Sequence, residues 1–138
     1  MSDRLANFQS YSRYYDLLYK DKDYAGEVAH LLGVLKKNNV PAGDLLEFGS
    51  GTGTHGRIFA QHGYTVHGIE LSQDMVEKAE ITPGFTCQQG DIGQTQMGRI
   101  YDAVLSIFHV VSYQTENAQL RAVFDNAASH LNKGGVFI

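Results

Sequence analysis

Leu45-Leu46-Glu47-Phe48-Gly49-Ser50-Gly51-Thr52-Gly53, followed by Thr54-His55-Gly56-Arg57-Ile58-Phe59-Ala60-Gln61, decides the fold. A short apolar run that ends at a glycine is the pattern of a buried parallel strand. The polar-apolar mixture from Thr54 to Gln61 reads as the helix after it. Alternate glycines between the two open backbone angles closed to other residues and let a ligand approach the main chain. A strand that passes through such a loop into a helix aims N–H groups and the helix dipole at that ligand. A tight turn alone does not require three alternate glycines, so the loop is a candidate binding site.

Outward from this loop the pattern repeats. Tyr64 to Ile69 reads as a second strand, and Ser72 is placed to cap a helix carrying Met75, Val76 and Ala79. Phe85 to Gln89 reads as a third strand and Ala103 to Phe108 as a fourth. Thr115 can cap a long helix whose Leu120, Val123, Phe124, Ala127 and Leu131 share a face. Gly134-Gly135 is expected to end that helix, and Val136-Phe137-Ile138 to open a fifth strand. Before the first strand, Val28, Leu31, Leu32 and Leu35 give residues 24–37 the spacing of an amphipathic helix. Strands alternating with helices imply an α/β fold with a doubly wound, mostly parallel sheet.

The chain has 138 residues, which suits one domain: an N-terminal helical segment (1–40) and a core (44–138). The fifth strand is expected to be cut short at Ile138, leaving the fourth with an open edge suited to self-association. Fifteen acidic against eleven basic residues argue against a protein that grips nucleic acid through phosphate contacts. No apolar run nears the roughly 18 residues of a membrane span. The lone Cys87 suggests a reducing, cytoplasmic setting. His55 and His62 have no acid at metal-ligand spacing, so no metal is expected.

Two ligands fit the loop. Gly51-Thr52-Gly53-Thr54-His55-Gly56 satisfies the dinucleotide pattern, with Glu70 near the distance that ribose recognition needs. That reading gives an NAD(P)-dependent oxidoreductase. In the other register, Glu47-x-Gly49-x-Gly51-x-Gly53 resembles motif I of the class I S-adenosylmethionine-dependent methyltransferases. Glu70 and Leu71 after the second strand, Gln89-Gly90-Asp91-Ile92 after the third, and Tyr101 to Phe108 resemble later motifs of that family in order. So does Leu131-Asn132-Lys133-Gly134-Gly135-Val136. Tyr15-Asp16-Leu17-Leu18-Tyr19, Gly51 to His55, and Ser106-Ile107-Phe108 with Tyr113 look more closely like the amino-sugar N-methyltransferases of deoxysugar biosynthesis.

The resemblance implies a Rossmann-like methyltransferase core using S-adenosyl-L-methionine on a small-molecule acceptor, such as the amine of a nucleotide-linked sugar. It implies that Glu47, Gly49, Ser50, Gly51 and Gly53 line the cofactor site, that Glu70 and Leu71 meet the ribose, and that Asp91 and Ile92 meet the adenine. Tyr19, Ser106 and Phe108 are implied cofactor contacts, and Tyr19 also approaches the acceptor. Read from the residues alone, Glu70 can be a solvated strand-end acid and Asp91 an Asx turn cap. His109, just past the fourth strand, is the one candidate base near the methyl position; a histidine in that place also reads as purely structural. A non-catalytic cofactor-binding fragment is the third reading.

Overall fold

A computed structural model of the chain describes residues 23–107 and 116–138. The elements are α1 (Tyr24–Lys37), β1 (Gly43–Phe48), α2 (Thr54–Gln61), β2 (Tyr64–Glu70), α3 (Gln73–Lys78), β3 (Phe85–Gln89), β4 (Tyr101–Ser106), α4 (Asn117–Ser129) and β5 (Leu131–Phe137). All sheet pairings are parallel, in the order β3-β2-β1-β4-β5. The order reverses between β1 and β4, the switch point beside which open α/β sheets bind ligands.

Alternation along β1 explains the layers. Leu45 joins Val28 and Leu35 of α1, Phe59 of α2, Val66 and Phe85 in one apolar cluster. Leu46 and Phe48 join Ile69, Ile92, Val104 and the α4 residues Val123 and Ala127 in the other. A central strand buried on both faces reads as a continuous apolar run. Within that run Glu47 stands out at 1% exposure.

Capping residues fix the helix entries. Asp23 accepts a hydrogen bond from the Gly26 N–H at 2.9 Å, and Ser72 accepts one from the Met75 N–H at 3.3 Å. At α2 the cap position is Gly53, left-handed with φ 84° and making no side-chain cap bond.

The C-terminal segment departs from the sequence expectation in three ways. β4 spans Tyr101–Ser106 rather than 103–108, because the Tyr101 N–H donates to the His130 carbonyl and Leu131 already pairs with Tyr101. Leu131 is therefore the first residue of β5, not the last of the helix. Gly134-Gly135 does not stop α4. From Leu131 to Val136 β5 advances five residues while β4 advances two, from Tyr101 to Ala103. The glycine pair lies in the resulting irregularity, with Gly134 at φ 84°. Asn132 fixes it by donating to Asp102 Oδ1 at 2.6 Å. Third, β4 is not an open edge. Val104 pairs with Phe137, the Ile138 N–H donates to Val104 O, and the Ser106 N–H donates to Ile138 O. Among the described residues the edge strands are β3 and β5.

Tyr11, Tyr14, Tyr15, Tyr19, Phe108, His109, Tyr113 and Thr115 lie outside the described residues. Among those described, no helix is long and apolar enough to cross a membrane.

Candidate cofactor site

Loops after β1, β2 and β3 meet at the carboxyl ends of their strands, and Glu70 joins the first two. Its Oε1 accepts from the Gly51 N–H and its Oε2 from the Ser72 N–H, both at 2.9 Å. The next loop is tied in by the Gly90 N–H, which donates to the Glu70 carbonyl at 2.9 Å. Glu70 is 6% exposed. Burial raises its pKa, while the N–H groups of Ser72, Gly51 and Leu71 favour the charged form and oppose that rise. Its role as a solvated strand-end acid is thereby excluded.

Gly49, Gly51 and Gly53 all have positive φ, at 72°, 58° and 84°. The loop needs glycine at alternate positions because each sits in the left-handed region that costs a side chain energy. Gly49 is anchored to β2 by its N–H on Ile69 O at 2.7 Å, and Gly53 closes the turn on Ser50 O at 2.9 Å. Ser50 is 6% exposed and packs against Gly68, where a Cβ would lie 2.4 Å from Ser50 Oγ.

Glu47 points elsewhere. A Cβ built at Gly56 would stand 3.3 Å from its Oε1, so the carboxyl lies under the first turn of α2, behind the glycine loop. Desolvation, with the Glu70 charge adding to it, pushes its pKa up to about 8. Its Oε1 has no hydrogen-bond partner, and neither do the buried Oγ atoms of Ser50 and Ser106. Phe48 pairs with Ser106, which places Ser106 at the carboxyl end of β4 beside the end of β1. Buried polar atoms are nearly always paired, so the unpartnered hydroxyls of Ser50 and Ser106, near the carboxyl ends of β1 and β4, are groups available to a polar ligand.

Asp91 Oδ1 accepts from the Gly93 N–H at 2.8 Å, so the Asx turn is present. The turn leaves Asp91 half-buried at the end of β3, with Ile92 buried behind it. Leu71 lies between Glu70 and the Ser72 cap, its carbonyl accepting from Gln89 Nε2 at 3.2 Å. Glu47, Gly49, Ser50, Gly51, Gly53, Glu70, Leu71, Asp91, Ile92 and Ser106 thus all fall on the strand ends or loops of one sheet edge.

Sequence reasoning missed Arg57. Its Nη1 donates to Thr52 O at 2.7 Å and to Glu80 O at 3.3 Å, and its guanidinium lies 5.9 Å from the Phe85 ring centre. It holds the back of the glycine loop to the segment before β3. Its only mark in sequence is its place in the first turn of α2, which no motif singles out.

Residues 45–135 match the methyltransferase domain family. The chain belongs to that family. Membership sets aside the nicotinamide-dependent reading, whose third glycine, Gly56, instead makes room for the Phe85 ring: a Cβ there would meet the ring's edge carbons. Among curated proteins the family member is 36% identical over 127 residues to a dTDP-3-amino-3,4,6-trideoxy-alpha-D-glucopyranose N,N-dimethyltransferase of Streptomyces venezuelae. That alignment covers 90% of this chain and 54% of the relative. A dTDP-3-amino-3,6-dideoxy-alpha-D-glucopyranose N,N-dimethyltransferase of Streptomyces fradiae is 34% identical, with 90% and 50% covered. Among solved structures, the S-adenosylmethionine-bound amino pentose methyltransferase CalS10 of Micromonospora echinaspora superposes with TM-score 0.82 at 31% identity. The superposition covers 90% of this chain and 54% of CalS10. The chain spans about half the length of the curated relatives it matches.

Proposed function

We propose that this methyltransferase uses S-adenosyl-L-methionine to methylate the amine of a nucleotide-linked amino sugar. The observation that carries the cofactor is the Glu70 carboxylate, buried at a strand end and fixed by two backbone N–H groups beside a loop of positive-φ glycines. A carboxylate so held retains lone pairs for both ribose hydroxyls. Gly49 to Gly53, Ser50 and Ser106 suit the methionine portion, since the loop exposes backbone and the two hydroxyls lack partners. Asp91 with Ile92 suits the adenine, one as a hydrogen-bond acceptor and the other as an apolar wall. When bound, S-adenosylmethionine supplies an electrophilic methyl group activated by its sulfonium.

The chain's residues have to bind, exclude water and hold the acceptor in a near-attack position. No nucleophile of the enzyme is needed, and an amine can react once deprotonated. Tyr19 and Phe108 are proposed as further cofactor contacts, Tyr19 also approaching the acceptor, and His109 as the proton acceptor. The acceptor class rests on three relatives whose names specify N,N-dimethylation of dTDP-linked amino sugars. Incubating the full-length protein with S-adenosylmethionine and dTDP-3-amino-3,6-dideoxyglucose tests it by mass spectrometry. Products carrying one and then two added methyl groups are expected. Turnover of dTDP-linked 3-hydroxy sugars with none of the amine would contradict the proposal.

A further inference from the structure

The segment from Gly90 to Ile100 has no strand or helix of at least two turns to fix it, yet Asn126 of α4 and His130, the residue that caps α4, hold it from below. Asn126 is 4% exposed. Its Nδ2 donates to the carbonyls of Ile92 at 2.8 Å and Thr95 at 3.0 Å, and its Oδ1 accepts from Gln96 Nε2 at 2.8 Å. Four residues later, at the C-cap of α4, stands His130, 1% exposed. Its Nε2 lies 3.0 Å from the Met97 N, which can only donate, so Nε2 is the acceptor. The proton is then on Nδ1, which donates to Asn126 O at 2.7 Å. Together the pair bonds residues 92, 95, 96 and 97.

We infer that Asn126 and His130 are positioning residues that set the adenine-recognition loop, and through it the preference for adenine over other bases. The inference rests on the proposed placement of adenine at Asp91 and Ile92. Asp91 is two bonds of this network away: its carbonyl accepts from the Thr95 N–H at 2.8 Å, and Thr95 is held by Asn126. Both side chains are fully buried beneath the loop and lie outside every motif of the sequence. Burial also means that nothing else satisfies the Ile92 and Thr95 carbonyls if the amide is lost.

Calorimetric titration with S-adenosylhomocysteine and S-inosylhomocysteine tests this in the full chain, in Asn126→Asp, His130→Leu and His130→Gln. Asn126→Asp turns two donors into an acceptor facing carbonyls. His130→Leu removes the acceptor for Met97, and His130→Gln restores one near the Nε2 position. Asn126→Asp and His130→Leu should weaken S-adenosylhomocysteine by about tenfold or more and shrink its advantage over the inosine ligand. His130→Gln should keep most of both, and the Met97 amide should exchange rapidly with solvent only in the leucine variant. Asn126→Ser stands in if a melting curve shows that the aspartate variant does not fold. Both ligands weakened equally, with the preference intact, would mean that the pair is merely structural and would overturn the inference. A parent chain that binds neither nucleoside would overturn the cofactor reading and this inference with it, before any variant is compared.

Discussion

Glu70 and Glu47 are two buried carboxyls with opposite surroundings. Glu70 is met by backbone N–H groups and suits ribose; Glu47 Oε1 has no donor at all. Hydrogen bonds to a charged group contribute roughly 1.5–3 kcal/mol each. Glu70→Ala should therefore weaken S-adenosylhomocysteine by about one to three decades, at ~1.4 kcal/mol per decade. Unchanged affinity in a titration of that variant would remove Glu70 from the site. For Glu47 the test is pH. A folded-state pKa near 8 against an ordinary 4.5 means that the folded chain holds a proton that the unfolded chain has released. Its contribution to stability is full below about 4.5 and is lost as pH rises through about 8, at most ~1.4 kcal/mol per pH unit. Glu47→Gln has no such loss. Its melting temperature should gain on the parent's from pH 5 to pH 8.5 without ligand. Parallel profiles would show that Glu47 ionises normally.

Among the elements, the glycine loop is the least tolerant of change. Gly51 combines φ 58° with an N–H that binds Glu70. A β-branched residue there would strain the backbone by about 1–3 kcal/mol and tend to swing that N–H away. Gly51→Val should lower the melting temperature and abolish the thermal shift given by S-adenosylhomocysteine; Gly51→Ala should do less of both. A valine variant that keeps the full shift would contradict the loop's role. Elements with their own periodicity were readable from sequence: α1, α2 and β3 begin and end where apolar spacing and flanking turn residues indicate. β5 was not. Gly134-Gly135 carries the same local pattern whether it stops a helix or makes room for an irregular strand pairing, and only contact with Tyr101 and Asp102 separates the two. The site shows the same division. Glu70 and the glycines carry a spacing, whereas Asn126 and Arg57 act through partners 31 and 23 residues away, which no local pattern encodes.

At the scale of the whole molecule, one sheet edge gathers the loops after β1, β2 and β3, while the chain spans about half the length of the curated relatives it matches. Cofactor binding and acceptor turnover should therefore separate. The 138-residue chain is expected to bind S-adenosylhomocysteine and to methylate amino sugar far more slowly than a version as long as its relatives. A radiolabelled methyl-transfer assay on the two lengths checks this, and equal turnover would show that the acceptor site lies within these residues. The most direct measurement is calorimetry on this chain with S-adenosylhomocysteine and NAD side by side, repeated on Glu70→Ala. The account predicts one-to-one binding of S-adenosylhomocysteine, weakened by the substitution, and no heat from NAD. Saturable binding of NAD with none of S-adenosylhomocysteine would contradict it.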